Sequence, residues 1–181
     1  GLRPAVKLIG DKGKEVKLSA MDGVNLVFLV DTSGSMSAEN KLPLPKQGFQ
    51  MLVDKLGPND HVAIVAYAGS AGLVLPSTAV SEKSTVLRAL DRLQSGGSTN
   101  GGAGIQLAYR TAIESYVEGG SNRVVLCTDG DFNVGVSDTD ELERLIVEKK
   151  KAGVFITCLG FGVRGGDRLA SAVLIEAQAR L

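Results

Sequence analysis

The chain has 181 residues, of which 44% are hydrophobic, and its 20 Lys and Arg balance 20 Asp and Glu. That length suits one domain with a sizeable core rather than two, and the absence of net charge argues against a sequence-independent phosphate-binding surface, so nucleic acid is not an expected partner. The longest apolar runs, "VNLVFLV" and "RVVLC", fall far short of the roughly 20 residues that cross a bilayer, and the opening "GLRPAVKLIG" lacks the features of a signal peptide.

In chain order, residues 1–22 read as an N-terminal extension, either a strand or hairpin turning at Gly10 to Gly13 or a loosely attached arm, ahead of a domain over 23–181. "NLVFLVD" (Asn25 to Asp31) is the first long strand. It is continuously apolar instead of alternating, as for a parallel strand covered on both faces. Phe49, Leu52, Val53 and Leu56 follow at helical spacing, and "LGPND" is a stop signal. "HVAIVAY" (His61 to Tyr67) is a second buried strand, and residues 67–80 read as an antiparallel edge hairpin ended by Pro76. Ile105, Ala108, Tyr109, Ala112 and Tyr116 form another helical core stripe before a third buried strand, "RVVLCTD" (Arg123 to Asp129). "SDTDE" caps a helix carrying Leu142, Leu145 and Ile146, and "VFITCLGF" (Val154 to Phe161) is the last strand of this kind. The alternation predicts an α/β, doubly wound, mainly parallel sheet with one antiparallel edge strand. Cys127 and Cys158 sit in strand-like runs and read as small core residues, and the single histidine, His61, reads as a solvated or capping residue at a strand start.

The polar residues crowd where the first strand ends. In "VFLVDTSGSMS" the apolar run passes directly into Asp31, Ser33 and Ser35, with Gly34 allowing a tight loop. If Asp31 ends a central parallel strand, this loop lies at the carboxyl edge of the sheet, where open α/β sheets bind ligands. "GGSTNGG" (96–102) brings Thr99 to a helix start at the same edge, and "CTDGDFN" (127–133) brings Asp129. Hydroxyls and carboxylates without histidine or thiolate are hard donors, suited to Mg²⁺ first, then Ca²⁺ or Mn²⁺, and poorly suited to zinc or copper. Two carboxylates balance a divalent ion but fill few of its six positions, so water or an incoming ligand completes the shell.

"DTSGSMS", "GGSTNGG" and "TDGDFNVG" resemble the three motif loops of a von Willebrand factor type A domain with a metal-ion-dependent adhesion site. Together with "KLPLPKQGFQMLVDKL" and "VAIVAYAGSAGLVLPST", they are similar to the bacterial branch described as calcium-activated chloride channel-like. The resemblance covers about residues 5–163. It implies that Ser33 and Ser35 coordinate a metal directly, that Thr99 joins directly or through water, and that Asp31 and Asp129 act mostly through bridging waters. It implies a non-enzymatic adhesion-type module whose ion accepts an Asp or Glu carboxylate of a partner protein, in an extracytoplasmic or cell-envelope setting. Asp131 lies near the site by sequence, and Gly97 and Gly101 shape the loop. The chain departs from the family after "LGFGVRGG": "DRLASAVLIEAQARL" (167–181) reads as one helix, so the sheet is expected to lack its last parallel strand.

Three other readings compete. Gly160, Gly162 and Gly165 have the spacing of a dinucleotide fingerprint, but no second strand with an acidic residue follows at the distance that the ribose contact requires. A phosphotransferase with an aspartyl nucleophile lacks a second carboxylate two residues after Asp31 and a lysine in the three loops. A scaffold subunit of a larger bacterial assembly keeps the fold without the adhesion role, and the sequence does not separate it from the module.

Overall fold

The computed structural model describes residues 8–9, 15–16, 23–37, 41–68, 71–96, 101–129 and 139–160. Seven strands occur among them: β1 (Leu8–Ile9), β2 (Glu15–Val16), β3 (Val24–Asp31), β4 (His61–Tyr67), β5 (Ala71–Ala79), β6 (Ser121–Thr128) and β7 (Val154–Gly160). The α-helices are α1 (Pro43–Val53), α2 (Lys83–Asp91), α3 (Gly101–Glu114) and α4 (Thr139–Lys151). β1 and β2 pair antiparallel with each other, Leu8 opposite Val16. The other five strands make one sheet in the order β5-β4-β3-β6-β7, parallel except for β5 at its edge. This is the doubly wound, mainly parallel α/β fold expected from the alternating pattern.

The continuous apolar runs are explained by two cores. Leu26, Phe28 and Val30 of β3 face one side, with Met36, Phe49, Val53, Val86 and Leu90 under α1 and α2. Val27 and Leu29 face the other, with Ile105, Ala108, Tyr109, Val124 and Ile156, and Leu145 and Ile146 of α4 pack against this second cluster. A strand buried on both faces cannot alternate apolar with polar residues. On the first side the rings of Phe28 and Phe49 stack with centroids 3.9 Å apart.

Local chemistry sets the helix limits. Pro43 and Pro45 occupy the first turn of α1, where backbone N–H groups have no intrahelical acceptor and proline costs nothing. α4 carries Lys149, Lys150 and Lys151 in its last turn, beside the negative end of its dipole. Gly153 follows with φ +85°, the left-handed backbone that glycine adopts without a Cβ penalty.

Several expectations are corrected. Pro76 does not end the edge strand: β5 runs through it to Ala79, with a register irregularity against Val62–Val65. An edge strand tolerates the missing donor, and a bulge absorbs it. The helix α2 was not expected, although Val86, Ala89, Leu90 and Leu93 are spaced for it and are all buried. Tyr116 lies beyond the end of α3 and is exposed, so it is not a core residue. Leu56 packs against the core from the turn after α1, which stops at Val53. Cys127 and Cys158 are free and buried, as expected of small core residues, and lie on opposite sides of the sheet. His61 is half-buried at the start of β4, with its Nδ1 atom enclosed and without a hydrogen-bond partner, so it is only partly solvated. The predicted helix at 167–181, the glycines at 162 and 165 and the expected loss of the last strand lie outside the described residues. Among the described residues no helix is long and apolar enough to cross a membrane.

Candidate metal centre

The chain enters the sheet in the middle, at β3, moves outward to β4 and β5, then returns to the other side of β3 for β6 and β7. The carboxyl end of β3 is therefore the point where the strand order reverses, and loops diverge there to leave a crevice. Asp31 is the last residue of β3 and is fully buried. The register sets Asp31 opposite Tyr67 on β4 and Val30 opposite Cys127 on β6. Three strand ends thus converge on one carboxylate.

Both oxygens of Asp31 are engaged. Oδ1 accepts the Ser33 backbone N–H at 2.8 Å, which folds the loop back on the strand end. Oδ2 accepts the hydroxyls of Tyr67 at 3.3 Å and Thr128 at 3.4 Å. Burial pushes the Asp31 carboxyl above its ordinary range, and the nearby charge of Asp129 pushes the same way. Hydrogen bonds from Ser33 and Tyr67 offset this only in part. Burial, reinforced by Asp31, also drives the Tyr67 phenol far up, so Tyr67 remains a proton donor.

After Thr32 the backbone makes a short 3₁₀ turn, Gly34–Ser37, with the Met36 N–H donating to the Ser33 carbonyl at 3.0 Å. The turn brings Ser33 Oγ and Ser35 Oγ to 2.9 Å from each other. Ser33 is buried and Ser35 exposed, so the pair runs from the interior to solvent. Thr32 anchors the loop through two bonds to the Tyr67 carbonyl, from its N–H at 2.9 Å and its hydroxyl at 3.2 Å. Its own carbonyl accepts the Gly96 N–H at 2.7 Å, which ties the start of "GGSTNGG" to the site. Asp129, just past β6, accepts the Lys41 ammonium on Oδ2 at 2.8 Å.

Of the five expected ligands, Asp31, Ser33, Ser35 and Asp129 are brought to one end of the sheet, while Thr99 lies outside the described residues, as do Gly97 and Asp131. Gly101 opens α3 and is buried. Tyr67, Thr128 and Lys41 were missed. Tyr67 and Thr128 end the two strands flanking Asp31, so lining up the three strand ends would have found them; nothing in the local sequence of Lys41 marks it. Among the described residues no three His, Cys, Asp or Glu side chains cluster as metal ligands, so the oxygen donors they offer a cation here are the serine hydroxyls and two carboxylates. That donor set fits a hard divalent ion. A groove of about 290 Å³ between α3 and α4, lined by Gln106, Tyr109, Ile113 and Leu145, lies further along α3 and is separate from these residues.

YfbK of Escherichia coli (strain K12) is 44% identical to this chain over 149 residues, 82% of the chain and 26% of YfbK. The magnesium-chelatase 60 kDa subunit of Rhodobacter capsulatus is 31% identical over 121 residues, 65% of the chain and 21% of that subunit. The chain thus spans about a quarter of the length of these relatives. Among solved structures, BatB from Bacteroides thetaiotaomicron superposes with a TM-score of 0.68 at 21% identity, covering 86% of this chain and 87% of BatB, which is a likeness of fold. Residues 25–176 match the von Willebrand factor type A domain, most of the chain, so the chain belongs to that family.

Proposed function

We propose that this domain is a metal-dependent protein-binding module, in which a divalent ion held by Asp31, Ser33, Ser35, Thr99 and Asp129 accepts an acidic side chain of a partner protein. The observation that carries this reading is the 2.9 Å between Ser33 Oγ and Ser35 Oγ. Adjacent corners of an octahedron around Mg²⁺, with bonds of about 2.0–2.1 Å, are about 2.9 Å apart, whereas Ca²⁺ at about 2.3–2.6 Å spreads them to about 3.3–3.7 Å. Mg²⁺ would therefore replace the hydroxyl–hydroxyl hydrogen bond with little movement of either serine, and Ca²⁺ would need them to move a few tenths of an ångström further apart. The three donors on Asp31 hold that carboxylate back from direct coordination and suit it to orienting water on an ion. When bound, the ion supplies a concentrated positive charge that a carboxylate can bind, and exposed Ser35 marks the side from which a partner would approach.

A second reading is favoured by one relative, which is by name a subunit of a chelatase: here the domain would be an assembly scaffold that binds its neighbours without metal. Calorimetric titration with Mg²⁺ and Mn²⁺ tests the site. Ser33→Ala with Asp129→Ala should abolish binding while the circular dichroism spectrum stays close to wild type, and retained binding would sink the assignment. Pull-downs with and without EDTA, with Asp31→Ala as control, test the role. Loss of the partner in EDTA supports the module, and EDTA-resistant capture supports the scaffold.

A further inference from the structure

Lys41 reaches the site from outside the three motif loops. Its Nζ lies 2.8 Å from Asp129 Oδ2, and the Asp129 side chain is only 2% exposed against 24% for the lysine. The lysine backbone is held on its C-terminal side. The Leu42 N–H donates to the Met36 carbonyl at 3.2 Å, and the Leu42 and Met36 side chains are both in the core under α1. Lys41 therefore stands on a fixed base between the turn that carries Ser35 and the first turn of α1. Its side chain keeps a path to solvent.

We propose that Lys41 is a built-in cation that holds Asp129 when no divalent ion is bound, and that an incoming ion must displace it. The inference rests on the metal reading above. Asp31 and Asp129 are close enough for the charge of one to act on the other, and two such carboxylates need a counter-charge, which the ammonium supplies. A divalent ion held at these carboxylates, directly or through water, would place a second, larger positive charge beside that ammonium at short range. The ammonium then releases Oδ2 and swings outward, while Leu42 keeps the backbone in place. Metal affinity is set by the competition between the two cations, and without metal the carboxylates stay compensated.

The test is calorimetric titration of EDTA-treated wild type, Lys41→Met and Lys41→Arg with MgCl₂ and MnCl₂. Lys41→Met keeps the stem and removes the charge, so it should bind both ions about tenfold tighter or more, with Lys41→Arg near wild type. In EDTA, Lys41→Met should melt below wild type, and saturating Mg²⁺ should raise its Tm by more than it raises that of wild type. Equal or weaker affinity in Lys41→Met, with Ser33→Ala still abolishing binding, overturns the inference and leaves the metal site standing. No binding by either wild type or Lys41→Met overturns both. A measurement on wild type covers a misfolded variant: the ¹⁵N side-chain resonance of Lys41 should move toward that of a free ammonium as Mg²⁺ is added. An unmoved resonance at saturating Mg²⁺ overturns the displacement.

Discussion

Two helical glycines should respond oppositely to the same methyl group. A Cβ built on Gly104 in α3 would lie 2.9 Å from Tyr67 Cβ and 3.2 Å from Leu29 Cδ1, where carbon contacts are normally about 3.5–4.0 Å. Tyr67 Cβ sits next to the backbone of a central strand and cannot turn aside, although the Leu29 methyl could shift, so overpacking costs about 1–3 kcal/mol. Helix propensity returns about 1 kcal/mol, leaving Gly104→Ala destabilised by up to about 2 kcal/mol. A Cβ on Gly48, in the middle of α1, meets nothing within 4 Å, and Gly48→Ala should stabilise by about 0.5–1 kcal/mol. Urea unfolding gives both values, and scanning calorimetry should show Tm shifts of about 2–4 °C per kcal/mol for a domain of this size. Tyr67 also holds Asp31 through its hydroxyl, so Gly104→Ala should weaken Mg²⁺ binding while Gly48→Ala leaves it unchanged. If Gly104→Ala exceeded the stability of wild type, the close approach of α3 to β3 and β4 would be refuted.

Asp31→Asn preserves an acceptor for the Ser33 N–H and removes a buried charge. The folded Asp31 carboxyl lies above its ordinary 3.8, so the folded state binds more protons than the unfolded state above that pH. The stability this contributes is present below about 3.8 and is lost as pH rises through the folded value. In EDTA at pH 7, Asp31→Asn should therefore melt above wild type, with the gap closing in acid, while only wild type gains stability from Mg²⁺; a variant melting below wild type in EDTA would refute the sign. Asn25, fully buried, donates to the Ala112 carbonyl and to Asn122 and accepts from Ser115. Asn25→Ala should cost about 2–4 kcal/mol in urea unfolding, and a loss under about 1 kcal/mol would contradict the role of Asn25 in joining β3, α3 and β6. Burial pushes the Cys158 thiol up to about 12 and Cys127 higher still, so neither should react with a thiol reagent at pH 8 until the protein is unfolded. Rapid labelling of native protein would count against both positions.

The fold was readable from four short runs because a parallel strand covered on both faces has no polar side to show. "NLVFLVD" and "HVAIVAY" could be little else at that length, and each coincides with an observed strand. α2 was harder to find because its charged residues mask a stripe of only four apolar positions. Pro76 misled because proline ends a central strand, while an edge strand with a bulge can carry it.

That Asp31, Ser33, Ser35 and Asp129 gather at one end of the sheet was legible for a related reason: polar residues directly after a buried strand lie at the rim of the sheet. The partners of those residues were not legible. Tyr67 lies 36 residues from Asp31 and Thr128 lies 97 away, while Lys41 is 88 residues from Asp129. Each is unremarkable in its own segment. The sequence by itself determined the buried strands, the loops at their ends and the chemistry of the donors, because periodicity and residue type are local properties. The tertiary structure decided which hydroxyls hold Asp31, which ammonium holds Asp129 and where a helix must carry glycine, because strand order and register bring distant positions into contact.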